Sequence, residues 1–254
     1  MVTDGGIVEG RNAVIEALRA GVRIDKVFIA KGETDGTLRY IASQARRSGC
    51  VVSETDRRKL DSMSVTSAHQ GVIAVTACAE YVTVDDILEI ARKRGEEPLI
   101  ILCDRISDPH NLGAIIRTCD AAGAHGVIIT KHKSAGLTAA VAKASSGAVF
   151  HTAVARVANL TAAITSLKKA GIWVYGADIN GQSPLWQTDF KGPAALVIGS
   201  EGDGISRLAV EECDFRVAIP MYGELSSLNA SVSAALLIYE AARQRRGAEL
   251  SVGN

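Results

Sequence analysis

Ala195-Leu196-Val197-Ile198 runs without a break into Gly199-Ser200-Glu201-Gly202-Asp203-Gly204. An uninterrupted apolar strand suits a sheet covered on both faces, as parallel sheets are. The same pattern recurs at Leu99-Ile100-Ile101-Leu102-Cys103, Gly126-Val127-Ile128-Ile129, Ile172-Trp173-Val174-Tyr175 and Phe215-Arg216-Val217-Ala218-Ile219. Helical patterns fall at about 111–122, 137–145, 159–170, 205–211 and 229–246. The reading is an α/β domain over 96–246 built on a parallel sheet. Ligands of such sheets bind at the carboxyl ends of the strands, so the loops that follow strands are the candidate sites.

Upstream, 1–77 reads as a smaller α/β unit. Helices are expected at 12–20 and 38–48, and strands at 26–30, 50–52 and 71–77. Residues 78–95 hold one charged helix, capped by Thr83 with Asp85 and Asp86 in its first turn, and read as a linker. The tail, 247–254, is expected to be mobile.

The 254 residues are 47% hydrophobic and 22% charged, which excludes a disordered chain. Aromatics at 4% weigh against a surface built from base-stacking platforms. Lys+Arg 28 cancels Asp+Glu 28, so RNA or DNA binding would have to rest on local patches. Residues 1–77 carry a net +2, with clusters Arg46-Arg47 and Arg57-Arg58-Lys59. Further clusters are Lys131-His132-Lys133 and Arg243-Gln244-Arg245-Arg246. Five scattered cysteines without C-x-x-C give neither a zinc knuckle nor a disulfide framework, and the histidines form no ligand spacing, so no metal is expected. No apolar run nears the roughly 18 residues of a membrane span, and the start lacks the segments of a signal peptide, so a cytoplasmic protein is expected.

Three loops concentrate polar groups. In the first, Asp108-Pro109-His110-Asn111 leads into a helix on which Leu112, Ile115, Ile116 and Cys119 form the buried stripe. Asn111 reads as the cap, and Arg117 lies at the edge of the stripe. The second, 199–204, is neither G-x-G-x-x-G, since Glu201 stands at the second glycine position, nor a P-loop, since no Gly-Lys-Ser/Thr follows. Its carboxylate disfavours a phosphate and suits a cationic or polar ligand. The third runs from Ile219-Pro220-Met221 to Ser227-Leu228-Asn229 and sets Ser227, Asn229 and Ser231 at the start of the last helix. That helix carries Ala234-Ala235-Leu236-Leu237-Ile238-Tyr239, apolar around its whole circumference. One side can face its own sheet, and the other is most simply covered by a second copy of the chain.

Taken in order, the segments 108–118, 199–204 and 219–231 resemble the three motifs of the SpoU (TrmH-like) RNA ribose 2'-O-methyltransferases. The segment Glu9-Gly10-Arg11-Asn12-Ala13-Val14 is similar to the L30e-like substrate-binding domain of the subgroup that modifies guanosine in 23S ribosomal RNA. The resemblance implies a sheet whose C-terminal part is threaded into a trefoil knot, a SPOUT-type fold, and a homodimer packed partly through the last helix. It implies S-adenosylmethionine as cofactor, at Gly199, Ser200, Glu201, Ile219, Pro220, Met221, Ser227, Leu228, Asn229 and Ser231. It places catalysis on Asn111, Arg117, Glu201 and Asn229. The reaction would be in-line attack of a ribose 2'-hydroxyl on a sulfonium methyl, with Arg117 clamping the neighbouring phosphate and stabilising developing negative charge. A transfer RNA target and a non-catalytic RNA-binding relative are the alternatives. A small-molecule enzyme that binds a nucleotide is a further one, though no phosphate fingerprint is found.

Overall fold

A computed structural model describes residues 6–32 and 35–246. The tail expected to be mobile, 247–254, lies outside the described residues. Two compact units emerge: 1–80 with 136–142, and 81–135 with 143–254.

The first unit holds a four-stranded sheet. β1 (Ile7–Glu9) pairs antiparallel with β4 (Val72–Thr76), β4 pairs antiparallel with β2 (Ile24–Ala30), and β2 pairs parallel with β3 (Val51–Thr55). Val27 and Ile29 on one face of β2 pack with Val14 of α1 (Arg11–Arg19) and Leu38 and Ile41 of α2 (Gly36–Arg47). On the opposite face, Ala30 meets Leu60 of α3 (Arg57–Met63). The Arg57-Arg58-Lys59 cluster thus forms the first turn of a short helix that had not been expected. Residues 136–142 complete this unit: Cys78 N–H donates to the Leu137 carbonyl at 2.7 Å, and Gly136 lies so close to the Asp25 carboxylate that no Cβ fits.

The second unit is a seven-stranded, all-parallel sheet. In spatial order it runs β7 (Val154–Val157), β6 (Gly126–Thr130), β5 (Leu99–Cys103), β10 (Ala194–Ile198), β8 (Trp173–Ala177), β11 (Phe215–Ala218) and β9 (Ser183–Pro184). Every residue of β5 and β10 is buried, as their unbroken apolar sequence requires. The chain builds β5, β6 and β7 towards one edge, then returns to place β8 and β10 on the other side of β5. The order therefore switches beside the central strand β10, where α/β sheets form ligand crevices.

The helices complete this unit. α4 (Val84–Arg94) opens on a capping box between Thr83 and Asp86 and ends at Gly95 in the left-handed conformation. It differs from the expected linker, because Ile87 is wholly buried in the second unit's core with Ile100, Leu102 and Ile128. The unit's other helices are α5 (Pro109–Ala122), α7 (Leu160–Lys169), α8 (Arg207–Glu212) and α9 (Ala230–Arg246), while α6 (Ala139–Ala144) starts within the 136–142 segment of the first unit.

α9 packs on α5 and β10 and buries Ala234, Leu237, Ile238 and Ala241. Its basic end is not a phosphate-tracking cluster. Arg245 donates to the carbonyls of Glu97 (2.8 Å), Pro98 (3.0 Å), Phe190 (2.9 Å) and Gly192, and Arg246 to that of Ala122 (3.1 Å). These carbonyls, at strand starts and a helix end, need donors, and a guanidinium supplies five. The side of α9 left partly open carries Val232, Ala235, Leu236 and Tyr239, spaced to share one face.

His125 closes the start of β5. Its N–H donates to the Leu99 carbonyl and its Nδ1 accepts from Leu99 N–H, both at 2.9 Å, while Nε2 meets Glu96 at 2.9 Å. Nδ1 must stay unprotonated to accept. Burial lowers the imidazole's pKa, opposed by Glu96 and helped by Arg94 and Arg245. A lowered folded pKa contributes stability that is present above the unfolded value near 6.5 and is lost as pH falls. Asn can keep the acceptor without titrating. The stability advantage of wild type over His125→Asn in urea unfolding should therefore shrink between pH 7.5 and 5. A difference that does not change with pH contradicts this role.

Candidate active site

Four strand-end loops meet because their strands are neighbours. The segments after β5, β10, β8 and β11 leave the same edge of the sheet, around β10. The loops after β10, β8 and β11 enclose a cavity of about 670 Å³, and the loop after β5 braces it from behind.

The loop after β10 is shaped by its glycines. Ser200 and Gly204 pair across it, N–H to carbonyl at 3.1 and 2.9 Å. The chain folds back so tightly that a Cβ on Gly199 would lie 2.1 Å from the Gly204 carbonyl carbon. The intolerance of a side chain at 199 thus comes from the loop's own backbone. Gly202 and Gly204 take positive φ, which glycine adopts without cost. The loop is braced from β5: Asp104 accepts from Ser206 N–H at 2.6 Å, and Arg105 donates to the Gly204 carbonyl at 3.2 Å and lies 3.5 Å from Asp203. Arg105 itself holds φ at +60°.

The hairpin carries Glu201 to two amides. Asn111 Nδ2 donates to Glu201 Oε1 at 3.0 Å, Asn229 Nδ2 donates to Asn111 Oδ1 at 3.0 Å, and Asn229 Nδ2 also donates to Glu201. Three residues far apart in sequence thus close a polar triangle that joins all three candidate loops. Asn111 is 8% exposed and is not the helix cap. Asp108 is, accepting from His110 N–H at 2.9 Å ahead of Pro109 in the first turn, and this frees the Asn111 amide. Asn229 turns its other amide atom to α9, accepting from Ser231 N–H at 2.9 Å and Ser231 Oγ at 2.6 Å.

The structure sorts the expected residues. Gly199, Ser200, Glu201, Ile219, Met221, Ser227, Leu228 and Asn229 line the cavity. Pro220 and Ser231 do not, the latter being engaged with Asn229. Asn111 stands behind the wall, bonded to two lining residues. Arg117 does not line the cavity either: it is exposed on α5, where its Nη1 donates to Ser146 Oγ at 3.1 Å. Sequence reading missed the turn after β8, where Ala177, Asp178, Ile179 and Asn180 form a wall. Its signal was available, as a strand end followed by Asp-x-Asn-Gly, and Asp178 indeed accepts from Asn180 N–H at 2.9 Å.

The lining includes Asp178, Glu201 and Asp203 and, among the described residues, no Lys, Arg or His. Such walls repel a phosphate and suit an organic cation or zwitterion. Ile198, Ile205, Val217 and Leu228 supply apolar surface for a flat ring system.

Residues 98–239 match the sequence model of the SpoU rRNA Methylase family, and residues 7–82 that for RNA 2'-O ribose methyltransferase substrate binding. A Bacillus subtilis (strain 168) protein named as a TrmH family tRNA/rRNA methyltransferase, YacO, is 45% identical over 94% of this chain and 95% of its own. The AdoMet-bound rRNA methyltransferase from Sinorhizobium meliloti aligns with TM-score 0.57 and 26% identity over 94% of this chain and 87% of that one. The TrmH/SpoU tRNA modifying enzyme of A. aeolicus aligns with TM-score 0.55 and 30% identity, over 63% of this chain and 83% of that one.

The polar triangle gives a direct test. Asn111→Asp sets a second carboxylate against Glu201, and like charges at that range raise one of the two pKa values. A folded pKa raised above the unfolded one contributes stability at low pH that is lost as pH rises. Asn111→Asp should therefore be destabilised at pH 7.5 and recover towards wild type near pH 5 in urea unfolding. A deficit that is the same at both pH values contradicts the triangle.

Proposed function

The chain belongs to the SpoU/TrmH family of S-adenosylmethionine-dependent tRNA/rRNA methyltransferases, and on that premise we propose that it methylates a ribose 2'-hydroxyl of a guanosine in 23S ribosomal RNA. The observation that carries the choice of ribosomal over transfer RNA is coverage. The rRNA methyltransferase aligns over both units, whereas the tRNA-modifying enzyme aligns over 63% of the chain. The first unit, matched by the substrate-binding model, is then the RNA-recognition module, and the net +2 of residues 1–77 supports that division of labour.

The cavity fits the cofactor by the chemistry of its walls, acidic and apolar without a basic residue. Gly199, Ser200, Glu201, Ile219, Met221, Ser227, Leu228 and Asn229 would hold it, with the 177–180 turn opposite. When bound, S-adenosylmethionine supplies a methyl on a sulfonium whose leaving group departs neutral, so the reaction needs no metal. Asn111 and Asn229 fix the Glu201 carboxylate, keeping the loop closed at the edge of the cavity. Arg117 carries five N–H donors and no acceptor. Its role is to hold an RNA phosphate and stabilise the developing alkoxide rather than to take the proton.

The C-terminal segment closes a trefoil knot, which would lock the three loops together. The protein works as a homodimer covered along Val232, Leu236 and Tyr239, since Leu237 is buried within the chain and they are not; sedimentation as a monomer at micromolar concentration overturns that. The compartment is the cytoplasm, where five free cysteines stay reduced.

Arg117→Ala is the variant that separates binding from chemistry. S-adenosylmethionine affinity by titration calorimetry should stay at the wild-type value, while kcat for RNA falls by about 100-fold or more, the scale of losing one donor to a developing oxyanion. Wild-type kcat in this variant contradicts the mechanism, even with the family assignment intact.

A further inference from the structure

Charge in this neutral protein is segregated along the chain. Between Asp120 and Asp178 the sequence holds no Asp or Glu, yet it holds Lys131, Lys133, Lys143, Arg156, Lys168 and Lys169. Two of these have visible work: Lys168 pairs with Asp214 at 2.8 Å, and the Arg156 guanidinium lies 4.1 Å from the centre of the Tyr81 ring. The acid-free stretch contains the turn that receives Arg117.

That turn is strained and rigid. Ser146 takes φ +52° and Gly147 follows at +87°. Two successive left-handed residues suit glycine, but the first costs a serine, and such outliers persist where the surroundings enforce them. The hydroxyl of this strained serine accepts the hydrogen bond from Arg117 at 3.1 Å. The turn is closed by Ala148 N–H to the Ser145 carbonyl (3.1 Å), Phe150 N–H to the Gly147 carbonyl (3.0 Å) and His151 N–H to the Ala148 carbonyl (3.0 Å). Ser145, fully buried, accepts from Val149 N–H at 3.3 Å. α5 packs against the same segment, so closely that Gly113 has no room for a Cβ beside Ala144.

On this support the turn presents Phe150, 60% exposed, and His151, also exposed, with Lys143 exposed at the end of α6. A large apolar ring held out on a rigid turn, in a stretch without carboxylates and one turn of chain from a fixed guanidinium, matches an unpaired nucleotide. Its base has a face for the ring, and its phosphate has two oxygens for the guanidinium.

We propose that the turn 145–151 grips the RNA nucleotide next to the target ribose, with Phe150 stacking on its base and Ser146, a positioning residue, holding Arg117 to its phosphate. The proposal rests on the RNA-methyltransfer reading. It adds a contact outside the cofactor cavity, on a surface whose charge has the opposite sign.

The test uses the intact protein with unmodified ribosomal and transfer RNA transcripts and tritiated S-adenosylmethionine. Loss of one base–aromatic stack corresponds to about 5- to 150-fold in affinity. Phe150→Ala should raise the RNA KM by at least about 5-fold, with cofactor affinity and sedimentation unchanged, and Phe150→Trp should recover it. Ser146→Gly should raise the unfolding temperature, because glycine takes the left-handed backbone freely, while lowering kcat. A purely structural serine would not move stability and turnover in opposite directions. Wild-type KM in Phe150→Ala, or wild-type kcat in Ser146→Gly, overturns the proposal. So does a Phe150→Ala protein that falls apart into monomers, which would make this face an interface between copies. If the wild type binds cofactor but methylates no RNA, the functional reading fails and takes this proposal with it; an active wild type beside indifferent variants removes this proposal alone.

Discussion

Gly199 and Gly204 meet backbone to backbone at the end of the central strand, at a separation that leaves no space for a Cβ on Gly199. That approach turns the chain back on itself and delivers Glu201 to Asn111 and Asn229. Without it the loops after β5, β10 and β11 would share an edge of the sheet but no common contact. The hairpin costs little, because glycine pays no steric penalty for the required backbone. Its enforcement comes from Asp104 and Arg105, which bond the hairpin's far side from the neighbouring strand end.

The cavity's polarity follows from the same construction. Strand-end loops often bind anions through helix N-termini, but here Asp178, Glu201 and Asp203 occupy the walls and give them the opposite character. A sulfonium donor suits such a pocket, and a polyanionic substrate does not. The RNA contact proposed at 145–151 lies outside these walls, in a stretch of sequence free of carboxylates from 121 to 177.

Much of this was legible in the sequence where a physical pattern was strong. The five apolar runs are strands, and the three polar loops do converge. β1, β7 and β9 escaped notice because two to four residues are too few to carry a period. α3 was hidden by three consecutive basic residues in its first turn. The helix at 84–94 was read as a linker from its charge, although Ile87 and Ala91 form a narrow buried stripe. Asn111 was read as a cap because local patterning cannot show an acceptor ninety residues away. The C-terminal arginines looked like a nucleic-acid patch because sequence does not reveal which carbonyls lie unsatisfied at strand starts. The last two are cases in which a distant contact outweighed a local preference.

Transfer of a methyl group to a ribose oxygen is read out by incubating unmodified ribosomal RNA with the protein and isotopically labelled S-adenosylmethionine, followed by nucleoside mass spectrometry. The label should appear in one 2'-O-methylated nucleoside, guanosine, with the mass increment on the ribose fragment. Label on a base fragment, or none in RNA from a protein that demonstrably binds the cofactor, would contradict it.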